Sequence, residues 1–495
     1  MKKVGFTWLK EKLNIQGFRL THESYIGTTD KTELSSTNTV VRTFKSKYNV
    51  SIDNPMSHLE FALKYDDLNL AFVREVFTSV DHQTILDYII PNPNRKYPRI
   101  IGYLYEFTGG KSIKVNITTT KYEDILDQSR YITGNVTKIS KWKVNDNLLG
   151  KEKFCPIIRK TTELCELLDW NIEKAIENLK NEFSAEIFKR ASHYLYKKES
   201  KSSSEIEKEE PSQDRMEKFI VLLEEAGQKT FEVALSENEL VRLQNIIVDS
   251  RYADDSFRNF QNYVGQTMRD YTQKIHYVCP PPQYVKSLMQ GIVELNEKNT
   301  KTETIVKATM VSFGYVYIHP FEDGNGRIHR YLIHDILVRD GIVPNSTILP
   351  VSAQILANMD EYDTTLELLS KQIERKVKYN IKDSGEMTVN NSSEIEALYR
   401  FPDLTSHTVF LARAIQSTLN EDIPEELIFL QRYDELKRDI QDIVDMPDNK
   451  VDRMILFLHQ NTGKLASRKR KLYKELSDIE IEQMEQAYDN VFNLK

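Results

Sequence analysis

The chain is 495 residues long, with a net charge of -7 and a sequence pI near 5.9; that balance argues against bulk electrostatic attachment to nucleic acid or to an anionic membrane. One hydrophobic core seldom grows past about 250 to 300 residues, so more than one domain is expected. There is no run of about 18 apolar residues, no apolar signal-peptide core in the first residues, and no metal-binding spacing among Cys155, Cys165 and Cys279; the expectation is a cytoplasmic protein with reduced thiols.

In chain order, residues 1–198 mix a helical pattern over 59–80 with short alternating stretches at 37–44 and 112–119, and carry no chemical motif. Residues 199–214, ESKSSSEIEKEEPSQD, are rich in serine and charge; composition alone predicts a solvated linker. Asn262 to Val278 alternates weakly and runs into Cys279-Pro280-Pro281-Pro282, after which Val285, Leu288, Met289 and Ile292 restart a helical pattern. Proline suits a chain turning into a helix, and the preceding stretch fits a hairpin or an ordinary loop equally well. Cys279 reads as a small apolar filler, a catalytic cysteine being the sharper alternative. Residues 302–317 form a helical run with Val306, Met310, Phe313 and Tyr317 at spacings of three and four and further apolar residues around them, so this helix should be buried.

The next stretch, His319 to Arg330, reads HPFEDGNGRIHR. Gly324, Asn325 and Gly326 can turn successive N–H groups inward to form an anion-binding nest. Ile328, Leu332 and Ile336 recur at spacing four, so the nest feeds a helix N-terminus, where unpaired N–H groups and the positive dipole end coincide. Arg330 sits about one turn in, able to fork onto a terminal phosphate. A neutral His319 can take a proton from an incoming hydroxyl. Asp323 can hold Mg²⁺ against phosphate oxygens, because that ion usually takes only one or two carboxylates. Packing alone requires no such mixture.

Eight positions, His319, Phe321, Asp323, Gly324, Asn325, Gly326, Arg327 and Arg330, match the signature His-x-Phe-x-(Asp/Glu)-Gly-Asn-Gly-Arg-x-x-Arg, and the chain thereby resembles Fic-domain proteins over roughly residues 236–372. The resemblance implies a mainly α fold: a Fic-type helical core with a small β-hairpin flap, and mostly helical N- and C-terminal regions. It also implies transfer of AMP from ATP, with Mg²⁺, to a Ser, Thr or Tyr hydroxyl of a protein. His319 is then the base and Asp323 the metal residue; Gly324, Asn325, Gly326 and Arg327 hold the phosphates, Arg330 grips the γ-phosphate, and Phe321 anchors the loop in the core. The family's toxin kinases carry lysine where this chain has Gly326. A flap at Asn262 to Val278 would present the protein substrate, and Asn358 and Tyr362, at helical spacing, would approach the base of the nucleotide, a core role for Tyr362 being the alternative.

Ser203 to Glu207 resembles the family's inhibitory motif, (Ser/Thr)-x-x-x-Glu-(Gly/Asn), with Glu207 expected on Arg330 in competition with the γ-phosphate. Lys208 departs from the pattern, since Gly or Asn tolerates the left-handed conformation that ends a helix better than Lys does. The implied layout is residues 1–198 packing behind the core, 199–214 carrying the inhibitory motif, a catalytic domain at 215–375, and a C-terminal region at 376–495 with helices over 404–446 and 450–494. The basic run Arg468 to Lys471 is expected on a solvated helix face rather than on nucleic acid. A homo-oligomer is open to it; a membrane partner is not expected. Other Fic chemistry, including removal of AMP or transfer of another phosphate-containing group, and nucleotide sensing without transfer are the alternatives.

Overall fold

A computed structural model of the chain describes residues 1–36, 39–210, 212–268, 273–344, 347–382 and 384–492. Helices dominate, and the strands are short and peripheral. Near the N-terminus, β1 (Lys2–Lys3), β2 (His22–Gly27), β3 (Lys31–Leu34) and β4 (Val40–Lys45) form a sheet in the order β1-β2-β4-β3. The pair β2 and β4 is parallel with His22 opposite Val40, and the other pairs are antiparallel. The alternating stretch at 37–44 is thus a strand from Val40 on, its first two residues lying outside the described ones. A smaller sheet, β5-β7-β6, joins Glu123–Asp124 (β5), Thr137–Ile139 (β6) and Val144–Asp146 (β7).

Two expectations for this region are corrected. The helical pattern over 59–80 is two helices, Pro55–Tyr65 and Leu70–Ser79. The break lies at Asp66, whose carboxylate is drawn inward by Phe6 N (2.8 Å) and Ser24 Oγ (2.6 Å), while Asn69 caps the second helix by accepting from Phe72 N. Polar side chains that bind backbone in this way compete with helix continuation. The alternating stretch at 112–119 forms no strand. Ile113 is buried and Val115 and Ile117 half-buried, so the alternation records burial of one side without ladder pairing, and the amides of Thr118 and Thr119 are taken by Asn94 Oδ1 instead.

The central elements are α1 (Ala185–Ile206), α2 (Glu237–Ile247), the hairpin β8 (Tyr263–Thr267) and β9 (Gln273–Val278), α3 (Pro282–Lys298), α4 (Thr304–Ile318), α5 (Asn325–Arg339), α6 (Val351–Ala357) and α7 (Met359–Glu374). The local signals are ordinary ones. Ser184 and Ser236 accept from Ile187 N and Glu239 N as N-caps of α1 and α2, and Pro282 opens α3. Helix α4 is buried on nearly every side, with Val306, Met310 and Phe313 fully enclosed. Helix α5 is not the amphipathic helix its apolar spacing suggests: Arg327, Arg330 and His334 are buried as well, because other segments close over its polar side.

One hydrophobic core runs from Phe6 to Leu430, so residues 1–198 share a core with the helices that come after them. The join is tight where Phe154 wedges between α3 and α4. A Cβ built on Gly291 would lie 2.7 Å from Phe154 N, and one on Gly314 would lie 2.8 Å from the Phe154 ring. The stretch 199–214, expected from composition to be a solvated linker, is the end of α1, a turn and the start of the helix Gln213–Glu224, Pro211 lying outside the described residues. Its serines are small enough to pack. Ser200, Ser202, Ser203 and Ser204 are buried, and Glu199 beside them accepts from Ser352 N at the start of α6 (2.9 Å).

Beyond α7, the hairpin β10 (Tyr379–Ile381) and β11 (Met387–Val389) brackets a polar turn, of which Asp383 lies outside the described residues. The expected helix at 404–446 is Thr405–Ser417 continued through a π-helical stretch Thr418–Asp422 into Ile423–Ile443. The one expected at 450–494 is two helices, Asp448–Gln460 and Asp478–Phe492, with 493–495 outside the described residues. Left-handed Thr462 and Gly463 (φ 49° and 89°) end the first of them. Arg468 to Lys471 therefore lies in the connecting turns and a 3-10 segment, not on a helix face. There Arg470 donates to the Leu476 carbonyl (2.6 Å) and Lys469 lies 4.3 Å above the Phe457 ring. This end of the chain has a second, separate core from Leu436 to Val491. Among the described residues no helix is long and apolar enough to cross a membrane.

Removing the Phe154 wedge should cost about 3 to 5 kcal/mol, the usual range for a buried Phe→Ala change. Gly291→Ala should destabilise too, despite alanine's better helix propensity, because the added methyl meets backbone. Denaturant unfolding of both variants checks this.

Candidate active site

The six residues between α4 and α5, together with the first turns of α5, form the site. Helix α4 ends on His319, which is left-handed (φ 52°) and donates its N–H to the Tyr315 carbonyl (2.9 Å). Histidine is among the residues that tolerate this conformation. Its Nδ1 lies 3.1 Å from the Val316 carbonyl, an arrangement that assigns the proton to Nδ1 and leaves Nε2 with a free lone pair. Burial pushes the imidazole pKa down to about 4, opposed by the Val316 bond and reinforced by the nearby Arg258 charge. At neutral pH the ring is uncharged and able to accept a proton.

Phe321 is fully buried, its ring 5.6 Å from that of Phe257. Asn325 pins the loop by donating to the Phe321 carbonyl (2.9 Å) and accepting from Phe321 N (3.1 Å), so its side chain serves the loop and only its backbone is left for an anion. Gly324 has φ 85° and sits against Val248, whose Cγ1 would be 2.9 Å from a Cβ. Gly326 is the tighter case. A Cβ there would lie 1.9 Å from Glu207 Oε1 and 3.3 Å from Arg330 Nη1; the cradle a methyl would fill holds a carboxylate, at the N-terminus of α5, where the dipole favours an anion.

The two arginines are buried, at 3% and 2% exposure for Arg327 and Arg330. Arg330 donates from Nε to Ser203 Oγ (2.8 Å) and from Nη2 to the Ser203 carbonyl (2.7 Å) and Glu207 Oε1 (2.9 Å). Arg327 donates to the Ile247 carbonyl (3.0 Å) and pairs with both carboxylate oxygens of Glu209, at 3.0 and 3.1 Å. Arg330 Nη1 and Arg327 Nε are buried without an acceptor among the described residues, donor capacity that suits an anion with more oxygens than a carboxylate has. Asp323 lies at the mouth of the nest, nearly half exposed, with Oδ1 accepting from Gly324 N (2.6 Å) and Oδ2 3.7 Å from Arg327 Nη2. Among the described residues no group of three or more His, Cys, Asp or Glu could hold a metal by itself. A single available carboxylate beside an anion cradle nevertheless fits Mg²⁺, which is commonly bound by one or two carboxylates plus substrate oxygens.

The end of α1 explains how Glu207 and Glu209 both arrive. Glu207 is the C-cap, Lys208 is left-handed (φ 57°), Lys208 N donates to Glu205 O (2.9 Å) and Glu209 N to Ser204 O (3.1 Å). These two bonds make a Schellman motif. Lys208 thus adopts the conformation that Gly or Asn would adopt more readily, and the motif sends successive acidic residues to the two arginines. Glu209 has no distinguishing mark in the sequence, being one acid in the run EKEE. Arg258, whose charge bears on His319, has side-chain bonds to backbone carbonyls alone and leaves no pattern either.

The remaining expected residues divide. Tyr362 is buried and stacks on His329 (6.2 Å), close enough to Arg330 for the guanidinium to counter the rise that burial gives its phenol pKa. Asn358 is not brought in. It caps the start of α7 with φ -121°, its carbonyl accepting from Tyr362 N (3.0 Å), so the helical spacing holds, but its side chain is exposed and its amide donates back to the Gln354 carbonyl (2.8 Å). The hairpin β8/β9 stands at Asn262 to Val278 as expected, with residues 269–272 outside the described ones. Cys279, at its root, is buried and its thiol is pushed up to about 12, which fits a filler and not a nucleophile.

Residues 234–337 match the Fic/DOC family. The protein adenylyltransferase fic-1 of Caenorhabditis elegans is 35% identical over 99 residues, 20% of this chain and 17% of its own length. A probable protein adenylyltransferase, aq_aa38 of Aquifex aeolicus (strain VF5), is 42% identical over 65 residues, 13% of this chain and 20% of its own length. The chain thus matches about a fifth of the length of these curated relatives. The crystal structure of a Fic family protein from Desulfovibrio desulfuricans G20 is 18% identical with a TM-score of 0.38, covering 57% of this chain and 80% of its own.

Lys208→Gly should stabilise the folded protein by about 1 kcal/mol, the order of the left-handed penalty it removes, whereas Lys208→Val should destabilise it. Denaturant midpoints of the two variants measure both shifts.

Proposed function

Residues 234–337 form a Fic/DOC family domain, and from the geometry of its site we propose that the protein transfers AMP from ATP to a Ser, Thr or Tyr hydroxyl of a protein substrate, which includes itself. The observation that carries this reading is the carboxylate of Glu207 lodged in the Gly326 cradle and on Arg330 beside a neutral His319: an anion site and a proton acceptor share one loop.

In this reading His319 Nε2 accepts the hydroxyl proton as the oxygen bonds to the α-phosphorus and the bond to pyrophosphate breaks. The backbone of Gly324 to Gly326 and the α5 N-terminus cradle the phosphates, Arg327 holds them from the side, and Arg330 takes the γ-phosphate. Asp323 is the residue that would hold Mg²⁺, which offsets phosphate charge when bound. The flap hairpin presents the target, its exposed Val264 and Met268 available for contact. The catalytic unit is taken as 215–375, with 1–198 packed behind it and 376–495 on its C-terminal side.

This form is restrained. Glu207 and Glu209 occupy the guanidinium groups that phosphates need, so the brake has two arms, and nucleotide must displace both. Nucleotide sensing without transfer is less well supported, since it would not call for a neutral imidazole at the cradle.

Glu207→Gly should raise incorporation of labelled AMP by about ten- to a hundredfold, as expected from about 1.5 to 3 kcal/mol for a charged hydrogen bond; Glu209→Gln should give a smaller rise. Adding His319→Ala to Glu207→Gly should abolish label while nucleotide still binds, and binding without label in every variant would favour the sensor. Glu207 is one of the groups that raise the His319 pKa, so its removal keeps the imidazole neutral. Transfer by Glu207→Gly should then persist as the pH falls through 6 and fail only towards about 4, whereas an ordinary histidine would fail near about 6.5. A pH–rate profile separates the two.

A further inference from the structure

Arg258 lies in the segment between α2 and the flap, at 4% exposure, and touches neither the phosphate cradle nor its carboxylates. Its Nε donates to the His319 carbonyl (2.7 Å), Nη2 to the carbonyls of Pro280 (2.7 Å) and Ile318 (3.2 Å), Nη1 to that of Phe260 (2.8 Å), and its backbone N–H to that of Pro320 (2.8 Å). No carboxylate among the described residues lies within ion-pair distance of it. Burying a guanidinium without a counter-charge costs several kcal/mol unless its hydrogen bonds are well satisfied, so a cation at this place needs a reason beyond packing. The acceptors supply one. Ile318 and His319 end α4, where carbonyls lose their helical partners and the dipole favours a cation. Phe260 and Pro280 flank the two roots of the flap, which are joined by Cys279 N donating to Asn262 O (3.1 Å) and by Gln261 Nε2 donating to Cys279 O (2.7 Å).

We propose that Arg258 is a positioning residue that ties the two roots of the flap to the backbone of His319, so that the surface receiving the target and the base that deprotonates it move as one piece. The planar fork with its fixed donor directions is what allows one side chain to span the three segments, and the point charge of lysine cannot reproduce it. The consequence is geometric: a target chain docked on the flap has its hydroxyl at a set distance from Nε2, and loosening the tie costs alignment more than affinity.

This inference rests on the transfer reading. The test uses the full chain carrying Glu207→Gly, with Arg258→Lys and Arg258→Gln added singly. The expected result is a fall in kcat for AMP transfer of at least about tenfold with the Kd for a non-hydrolysable ATP analogue within about twofold, a cooperative unfolding transition, and partial recovery for lysine relative to glutamine. Deuterium uptake should rise at 259–263, 278–281 and 316–323 and stay level along α5. Unchanged kcat would overturn the proposal, as would joint loss of transfer, nucleotide binding and cooperative unfolding, which is what a purely structural residue would produce. If the Glu207→Gly parent transfers no AMP, the transfer reading fails and deuterium uptake decides alone: a rise confined to the flap roots and the His319 loop upholds the tie, and a diffuse or absent rise overturns it.

Discussion

The guanidinium of Arg330 is held by one carboxylate together with neutral acceptors, and that carboxylate stands where an outside anion could replace it. It is buried on the first turns of a helix that is enclosed on nearly every side, and a buried cation left unpaired is among the most costly defects a fold can carry. The protein meets this requirement internally, with the hydroxyl and carbonyl of Ser203 and the carboxylate of Glu207. In the proposed transfer, the terminal phosphate of a nucleotide would meet it externally. Much of the architecture serves to keep both options open. Helix α1 must be long enough to reach the site, its serine face must be small enough to pack there, and Glu199 must fasten that helix to the start of α6.

The same helix end settles the departure at Lys208. A residue less suited than glycine to the left-handed conformation occupies it all the same, at φ 57°, because the two bonds of the Schellman motif and the ion pairs on either side hold it there. The strain is local and small beside two charge-assisted contacts. Both neighbours of Lys208 are placed by it, since the turn that puts Glu207 on Arg330 also carries Glu209 to Arg327.

Contiguity decides how much of the fold and the site is legible in the sequence. From His319 to Arg330 every candidate part is within a turn or two of its neighbour, so the spacing alone gives the nest, the helix start and the arginines, and the bounds of α4 and the start of α5 fall within about two residues of expectation. Contacts between distant segments are legible only where a side-chain pattern marks them. Glu207 carries a motif; Glu209 does not, and its pairing depends on a backbone turn. Arg258 bonds only carbonyls, which are the same at every residue. The serine stretch before Glu207 reads as solvated because composition counts polarity and not size, and the spacing of Asn358 to Tyr362 holds in the backbone without revealing that the Asn358 side chain turns back to the Gln354 carbonyl.

One guanidinium contested by a carboxylate and a terminal phosphate is the centre of the proposed mechanism. Calorimetric titration of ATP and of ADP, with Mg²⁺, into the wild-type chain and into Glu207→Gly tests that contest without requiring any chemistry. It predicts little preference for ATP over ADP in the wild type, where Arg330 is engaged, and a preference of at least about tenfold, or 1.4 kcal/mol, in the variant, where it is free. An ATP-to-ADP preference that is the same in both proteins would contradict it.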